Sequence, residues 1–460
     1  MRFDRYRLSW LLILLLSVSA CADKEDKPGP IIPDNEFILP DPAQYGNPFS
    51  AVPETEDVVM YEVNLRAFSP ASIQGVIGKL DHIKSLGVNV IWLMPIFPIG
   101  TVNSVNSPYS VKNYREVNQE FGTLTTLRTL TDQAHQRGMA VILDWVANHT
   151  AWDNPWMKYK EWYTQENGVV IHPAGTNWLD VADLNFASQD MRKAMISAMR
   201  YWVFDANIDG YRCDAADMVP FDFWKQANDS LNKIPGRKII MLAEGARSDH
   251  FSAGFQMNYS WDFYGKLKSV FSGQPASGLS ATHASEYSGI PAGKHKLRFT
   301  TNHDESAWDA TPMTLFNGKQ GALAASVIAT FMGGVPMIYG SQEVGRLETL
   351  PFFTNSPVNW TQNPDMLIEY QKIMTFYSGS ETTKKGTLVS YPNNDICAFI
   401  RRTATEELVV LVNVRNNPVT YILPASIGEQ SWENVLTGAL VEVDSVVFEA
   451  YGYLILSRTL

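Results

Sequence analysis

One helix and the strand that follows it are encoded in Leu124-Thr-Thr-Leu-Arg-Thr-Leu-Thr-Asp-Gln-Ala-His-Gln-Arg-Gly-Met-Ala-Val-Ile-Leu-Asp144. Apolar side chains recur in its first part at helical spacing, at Leu124, Leu127, Leu130 and Ala134. Gly138 ends that helical pattern. The continuous apolar run that comes next is typical of a strand buried on both faces, as in a parallel sheet.

The same alternation extends through most of the chain from Asp57 onward. Before this unit, a helical stripe begins at Ile73 and ends at Gly87. The short apolar runs that we predict to be strands are Val58–Val63, Val88–Met94, Met139–Asp144, Ile208–Asp214, Lys238–Glu244, Leu297–Asn302 and Val335–Tyr339. Repeated βα units of this kind indicate a parallel sheet of the α/β class, covered by helices on both faces.

Two architectures fit this pattern, an open doubly wound sheet and a closed (β/α)8 barrel. The barrel is favoured because the region is long enough for one with insertions, and because no Gly-x-Gly-x-x-Gly motif follows an early strand. We predict a (β/α)8 TIM barrel over 54–384, with a short B-domain insertion after the third strand at about 150–182. Short strands joined by turns predict a C-terminal antiparallel β-sandwich domain over 385–460.

The composition is that of a globular, acidic protein. Hydrophobic residues make up 45% and charged residues 18% of the 460 residues, and the formal net charge is −11. Such a charge repels phosphate backbones, so we expect no nucleic-acid partner. The chain is expected to act as a monomer. Cys213 and Cys397 are far apart in apolar segments, which predicts buried free thiols rather than a disulfide framework.

The N-terminus has the features of an export signal. Three arginines precede a short apolar run, Leu8–Leu16, that is too short to span a bilayer. Val18-Ser-Ala-Cys21 resembles a bacterial lipobox, in which the cysteine is lipidated; an ordinary cleaved signal with an incidental cysteine is the alternative. We therefore expect a signal peptide over 1–20 and a lipid-anchored flexible tether over 21–53. The expected location is the bacterial outer membrane, at the cell surface or on the periplasmic face.

Ionisable residues follow several of the predicted strands. The four segments concerned are Leu143–His149, Gly210–Ala216, Met241–Glu244 and Phe299–Asp304. Because the carboxyl ends of barrel strands face one bowl, Asp214, Glu244 and Asp304 should converge there. Any one of these carboxylates alone is more simply a helix cap or an ion-pair partner. Together they indicate either a hard-metal site or glycoside cleavage by two carboxyl groups.

The neighbours of these carboxylates suggest distinct roles. Arg212 lies two residues before Asp214 on the same strand face and should keep it ionised, which suits a nucleophile. Crowding by other carboxylates should raise the pKa of Glu244, which suits a general acid. His149 and His303 can donate hydrogen bonds to sugar hydroxyls, and their spacing is not that of a zinc site.

The four segments, in this order, resemble the four signature regions of the α-amylase family, glycoside hydrolase family 13. Further matching stretches are Val88–Pro95, Tyr109–Tyr114, Phe121–Gly122, Asp183–Asn185 and Gly334–Gly340. The resemblance covers about residues 57–460. It implies Asp214 as nucleophile, Glu244 as acid/base and Asp304 as the carboxylate that grips the substrate hydroxyls. It also implies a ring of substrate-binding residues around the cleaved sugar, formed by the stacking platform Tyr109 with His149, Arg212 and His303.

The chain departs from the family pattern at several positions. Asp217-Met218 stands where many α-amylases have Lys-His, and Asn113 stands where the family often has Asp. Asn148 and Asp183 occupy the positions of two calcium ligands, and they are the candidate metal ligands here. Since the insertion is short and the His is missing, we expect that no cofactor is required, with calcium the one candidate ion.

These observations predict a secreted or surface-bound retaining α-glycosidase that hydrolyses α-1,4-glucosidic bonds of starch-like glucans or maltooligosaccharides. Within the same family, a glucanotransferase or a sucrose- or trehalose-acting enzyme is the alternative. A non-catalytic glycan-binding lipoprotein is another, although the presence of all three carboxylates argues against it. A carboxylate-rich metal hydrolase on the same barrel would need metal-dependent activity.

Overall fold

Eight parallel strands close into a barrel in the computed structural model, which describes residues 35–442 and 444–460. Each strand pairs with the strands before and after it in the chain, and the eighth pairs with the first. In chain order the barrel strands are Met60–Val63, Val90–Leu93, Ala140–Val146, Gly210–Asp214, Ile240–Ala243, Met257–Tyr259, His295–Arg298 and Val335–Tyr339. The predicted (β/α)8 barrel is confirmed.

Helices cover the outside of the barrel and connect its strands. The α-helices of the described residues are Ile73–Ile77, Leu80–Ser85, Leu124–Gln136, Gln189–Asp205, Phe221–Leu231, Asp249–Ser252, Trp261–Phe271, Ser277–Tyr287, His303–Trp308, Pro312–Leu315, Lys319–Phe331, Pro364–Gly379, Glu381–Lys385 and Ala425–Gly428. Helix 124–136 begins as its pattern predicts, since the Thr123 side chain accepts a hydrogen bond from the Thr126 N–H.

The alternation of side chains along the strands separates an inner core from an outer one. Met60, Ile142 and Leu242 lie in the cluster that fills the barrel, whereas Val141 and Met241 belong to the cluster shared with the helices. Glu62, Asp144 and Glu244 face the same side as the inner set, because each stands two residues after one of its members.

The fourth strand begins at a position that requires glycine. Gly210 has φ +154°, and a Cβ atom there would lie 1.9 Å from the carbonyl oxygen of Ile240 in the neighbouring strand. The close approach of these two strands therefore depends on the missing side chain. It brings the fourth and fifth strands together directly below the predicted catalytic residues.

The structure corrects the prediction at three places. The sixth strand, Met257–Tyr259, was missed because three residues are too few to show a period. The helical stripe from Ile73 is broken into two helices at Gly78, a poor helix former. The seventh strand ends at Arg298 rather than Asn302, so Asp304 lies in the first turn of helix 303–308 and not at a strand end.

The segment after the third strand is a small insertion, as expected. His149–Ala151 pairs antiparallel with Val181–Asp183, and these short strands close the insertion at its base. A hairpin of Gln165–Glu166 with Val169–Val170 lies between them.

The C-terminal part is an antiparallel β-structure, which confirms the prediction. Its six-stranded sheet has the order Thr387–Tyr391, Ile396–Arg402, Glu406–Asn413, Tyr453–Thr459, Trp432–Asn434 and Leu440–Val441. A second, two-stranded sheet of Val419–Ile422 and Ser445–Phe448 shares a hydrophobic cluster with it. The domain limits 54–384 and 385–460 remain predictions.

The signal peptide, the lipobox with Cys21 and most of the tether lie outside the described residues. Within the described part of the chain, the helices are too short or too polar to cross a membrane. Cys213 and Cys397 are buried free thiols, as predicted.

Candidate active site

The three predicted carboxyl groups meet at the carboxyl end of the barrel. Asp214 ends the fourth strand, Glu244 is the first residue after the fifth, and Asp304 opens the helix after the seventh. The Glu244 N–H donates to the carbonyl of Cys213, so the two strand ends are in register. The sequence prediction that these residues converge is therefore met, although Asp304 reaches the bowl from a helix.

Arg212 is the centre of the site. Its Nη1 atom lies 2.8 Å from Oδ1 of both Asp144 and Asp214, and its Nη2 atom lies 2.9 Å from Oε1 of Glu244. The guanidinium is completely buried and stands over the ring of Trp92, 4.9 Å from its centroid. One cation thus faces three carboxyl groups, and its own pKa is raised well above the usual value by these anions despite its burial.

A strained turn follows Asp214. Ala215 adopts φ 43°, in the left-handed region that costs an L-residue about 1–2 kcal/mol. This conformation directs the Ala215 N–H to Oε2 of Glu244 at 2.7 Å. The turn after one carboxylate therefore positions the other.

Electrostatics in the bowl favour retention of a proton on Glu244. Burial raises its pKa to about 7, and Asp214 and Asp304 act in the same direction, against Arg212. Crowding by carboxylates was the predicted cause, but desolvation is the larger one. A carboxyl group of this pKa is half protonated at neutral pH and can serve as an acid.

Asp214 lies against Arg212 as predicted, and its ionised state stays a prediction. Arg212 contacts it as expected and lowers its pKa, but burial outweighs this, so the pKa of Asp214 is raised above its ordinary value. Asp304 acts in the same direction as burial, and the guanidinium of Arg212 also contacts Asp144, whose pKa burial raises to about 7.

Asp304 lies at the rim of the bowl. Its side chain is 40% exposed, and its Oδ2 atom lies 3.3 Å from Nε2 of His303. Burial raises the pKa of Asp304, while Arg212 and the Trp308 side chain oppose the increase.

The four predicted substrate-binding residues surround these carboxyl groups. The Tyr109 hydroxyl lies 3.0 Å from Asp144 Oδ2 and 2.8 Å from His303 Nε2, and its ring stacks on the His303 ring. His149 is buried beneath Trp178, with ring centroids 5.5 Å apart, and burial lowers its pKa to about 4. His149 is therefore neutral at pH 7.

Several residues of the site were not identified from the sequence. They are Glu62, Asp144, Tyr259, Trp308 and Phe352. The sequence carried a signal for Asp144 and Glu62, because each lies two residues after an inward-facing apolar residue of a barrel strand and therefore faces the same side. Phe352 carried none, since it belongs to a loop after the eighth strand without a regular pattern.

Asp217, which stands at the departure from the family pattern, has a definite structural role. Its carboxylate accepts hydrogen bonds from the N–H groups of Ala246 and Arg247 at 3.1 and 3.2 Å. A Cβ atom on Gly245 would lie 2.3 Å from Asp217 Oδ1, so glycine is required there. Met218 is exposed. Asp217 therefore fixes the loop that directly follows Glu244.

The calcium candidates form only part of a site. The Leu184 N–H donates to the Asn148 carbonyl, and His149 pairs with Asp183, so the two candidates are close. Burial raises the pKa of Asp183, which disfavours its ionised form. No cluster of three or more His, Cys, Asp or Glu side chains suited to a metal ion occurs in the described residues. These donors do not provide the several carboxylates typical of tight calcium sites.

A comparison with protein families matches residues 64–373 to the catalytic domain of α-amylase. The α-amylase MalA of Haloarcula japonica is 26% identical over 408 residues, which are 82% of this chain but only 58% of that protein. The crystal structure of an α-amylase from Lactobacillus plantarum is 28% identical with a TM-score of 0.79, over 88% of this chain and 99% of that one. AmyB of Thermotoga neapolitana, a maltogenic α-amylase, has the same TM-score at 24% identity, over 89% and 100% of the two chains.

Proposed function

Since the chain belongs to the α-amylase family of glycoside hydrolases, we propose that it hydrolyses α-1,4-glucosidic bonds of starch-like glucans or maltooligosaccharides with retention of configuration. The observation that carries this proposal is the position of Arg212 between Asp214 and Glu244. Two carboxyl groups in contact with one guanidinium are close to each other, as a retaining glycosidase requires.

In this mechanism Asp214 is the nucleophile and Glu244 is the acid/base. The Asp214 carboxylate attacks the anomeric carbon and forms a covalent glycosyl-enzyme, while Glu244 donates its proton to the leaving oxygen. Glu244 then removes a proton from water, which attacks the same carbon and releases Asp214. The pKa of about 7 suits Glu244 to both proton transfers.

Asp304 and the surrounding residues hold the sugar. Asp304 stands at the rim, where its half-exposed carboxylate can accept hydrogen bonds from two sugar hydroxyls. Tyr109 provides a ring face for the sugar, and His149 and His303 provide ring nitrogens for its hydroxyls. Arg212 contacts both reacting carboxyl groups and stabilises the negative charge that returns to Asp214.

Product analysis tests this proposal. The purified protein should release glucose, maltose or short maltooligosaccharides from starch and maltooligosaccharides, and it should not act on sucrose or trehalose. Pullulan as a further substrate reports linkage preference. Products longer than the substrate would identify the glucanotransferase alternative. Binding of glucans without turnover would support a non-catalytic glycan-binding protein.

We further propose that the chain is exported and anchored to the outer membrane through lipid on Cys21. The basic and apolar N-terminus and the sequence Val18-Ser-Ala-Cys21 support this proposal. A Cys21→Ala variant should leave the membrane fraction and appear as soluble protein. Wild-type protein that is already soluble after signal removal would contradict the proposal.

A further inference from the structure

An aromatic wall leads from the floor of the bowl to its rim. It consists of Tyr109, His303, Phe352, Phe353 and Trp308. The Phe352 ring lies 5.1 Å from His303 and 5.9 Å from Tyr109, and 4.9 Å from the ring of Phe353. Trp308 contacts Phe352 and Phe353 at 5.8 and 5.5 Å, both nearly perpendicular. His303 and Phe352 are buried, Phe353 is half-buried, and Trp308 is 65% exposed.

Trp308 is held in place although most of its surface is free. Its helix is capped by the Asn302 side chain, which accepts a hydrogen bond from the Glu305 N–H. The Leu350 N–H donates to the carbonyl of Ser306 and ties the helix to the neighbouring loop. With 65% of its surface exposed, the indole of Trp308 remains open to solvent beside these contacts.

A second contact connects Trp308 with the reaction centre. Asp304 and Trp308 are four residues apart on one helix, so their side chains share a helix face. The Trp308 side chain is near enough to the Asp304 carboxylate to lower its pKa. The helix therefore places the exposed ring of Trp308 beside the carboxylate of Asp304. A single exposed apolar side chain without such surroundings would need no explanation.

The position of the wall defines which part of a substrate it meets. In a closed barrel of eight strands, the eighth strand lies opposite the fourth, and the loop that carries Phe352 and Phe353 follows the eighth. Glu244 follows the fifth strand, so the leaving group that it protonates departs on that side. Trp308 packs against the loop after the eighth strand, three strands from the fifth, and we place the non-reducing part of the substrate there.

We propose that Trp308 is the stacking platform for the sugar unit that precedes the one attacked by Asp214. This inference rests on the proposed function and specifies its substrate class. A sugar ring presents C–H groups that pack against the face of an indole. Sucrose and trehalose have one glucosyl unit on the non-reducing side and cannot use the platform. The platform therefore favours glucans with at least two units there.

Two chromogenic substrates test the platform. Nitrophenyl α-maltoside, cleaved at the nitrophenyl bond, places two glucose units on the non-reducing side, whereas nitrophenyl α-glucoside places one. We expect Trp308→Ala to lower the maltoside-to-glucoside ratio of kcat/KM about tenfold, the effect of one lost aromatic contact. Trp308→Phe should keep most of the ratio, because it retains an aromatic ring at this position.

The matched control is Leu347→Ala. Leu347 lies on the adjoining loop, is 60% exposed and is not part of the aromatic wall. Its main-chain carbonyl accepts a hydrogen bond from the Thr311 hydroxyl, a contact that the substitution does not remove. This variant should leave the ratio unchanged. An unchanged ratio in Trp308→Ala, with its melting temperature equal to that of the wild type, would overturn the inference.

Calorimetry separates this inference from the proposed function. Maltotriose binding is measured with Asp214→Asn, which cannot turn the sugar over, and with the same variant carrying Trp308→Ala. The second substitution should weaken binding about tenfold; equal affinities would contradict the platform. Wild-type protein that cleaves neither chromogenic substrate would count against the proposed hydrolysis, while the calorimetric comparison would still decide the role of Trp308.

Discussion

The Nδ1 atom of His303 lies 2.5 Å from Oε1 of Glu62, and the two side chains are only 2% and 0% exposed. This contact orients the imidazole so that Nδ1 donates to Glu62 and Nε2 faces Tyr109 and Asp304. Glu62 belongs to the first barrel strand and is completely buried, so it cannot contact a sugar itself. It is a positioning residue for a ring that contacts the sugar in the proposed mechanism.

The first prediction concerns this pair. Glu62→Gln retains an oxygen that can accept from Nδ1, so we expect kcat to fall only a few-fold. Glu62→Ala leaves a buried N–H without a partner, which costs about 1–3 kcal/mol of stability. Its kcat should fall further than that of the Gln variant, by more than tenfold. Steady-state kinetics and urea unfolding measure both effects, and wild-type kcat in Glu62→Ala would contradict the positioning role.

The positions of the carboxylates could be predicted because parallel strands end on one side of a barrel. Asp214 and Glu244 are adjacent to strand ends, so their convergence followed from topology alone. The position of Asp304 was predicted less well, because residues 299–302 are apolar or small but leave the sheet after Arg298. The order of apolar and polar residues along the chain does not show where hydrogen bonding to a neighbouring strand stops.

Contacts between distant loops could not be predicted. The aromatic wall joins residues of the loops after the second, seventh and eighth strands, and their spacing in the chain has no relation to their distances in space. The direction of the pKa shift of Asp214 could not be predicted either, because it depends first on burial and then on the opposing charges of Arg212 and Asp304. Burial and sharing of a charge are properties of the folded molecule.

The second prediction concerns Asp217. Asp217→Ala removes the acceptor for the Ala246 and Arg247 N–H groups and should loosen the loop after Glu244. Because Asp217 is partly exposed, we expect a loss of only about 1 kcal/mol in unfolding free energy. Since Glu244 must keep its position, kcat should fall about tenfold. Met218→Ala, at the exposed next residue, is the control and should change neither quantity. Equal effects of both substitutions would contradict the specific role of Asp217.

The third prediction concerns pH. Glu244 must be protonated to assist the leaving group, so kcat/KM for maltooligosaccharides should fall as the pH rises through about 7. On the acidic side, kcat/KM falls when Asp214 becomes protonated, and its raised pKa places this limb above that of an ordinary aspartate.

A dinitrophenyl glucoside provides the control for the alkaline limb. Its leaving group needs no proton, and kcat/KM reports only the first step, so the decline near pH 7 should disappear. A decline that persists with this substrate would show that a group other than Glu244 causes it.

The fourth prediction concerns calcium. Asn148 and Asp183 are the two candidate side-chain ligands, and the pKa of Asp183 is raised by burial. We therefore expect activity and melting temperature to survive dialysis against EDTA nearly unchanged. Inactivation that added calcium reverses would show that these residues, together with main-chain carbonyls, form a functional site. Asn148→Ala should then abolish the response to calcium.

The last prediction is the stereochemistry of the reaction. A retaining glycosidase holds its two carboxyl groups about 5–5.5 Å apart, whereas an inverting enzyme leaves about 6.5–9.5 Å for a water molecule. Asp214 and Glu244 end neighbouring strands, and both contact the guanidinium of Arg212. We therefore expect the shorter, retaining separation, with Asp214 attacking the sugar directly.

Two substitutions and one spectrum test this assignment. Asp214→Asn should abolish turnover of every glycoside, because no nucleophile remains. Glu244→Gln should retain the first step for substrates with good leaving groups, which need little protonation, and should lose activity on maltooligosaccharides. Proton NMR of the earliest products from an α-glucan should show the α-anomer before mutarotation, because two displacements at one carbon restore its configuration. A β-anomer as the first product would mean that water attacks in a single displacement, and Asp214 would then have to act as a base.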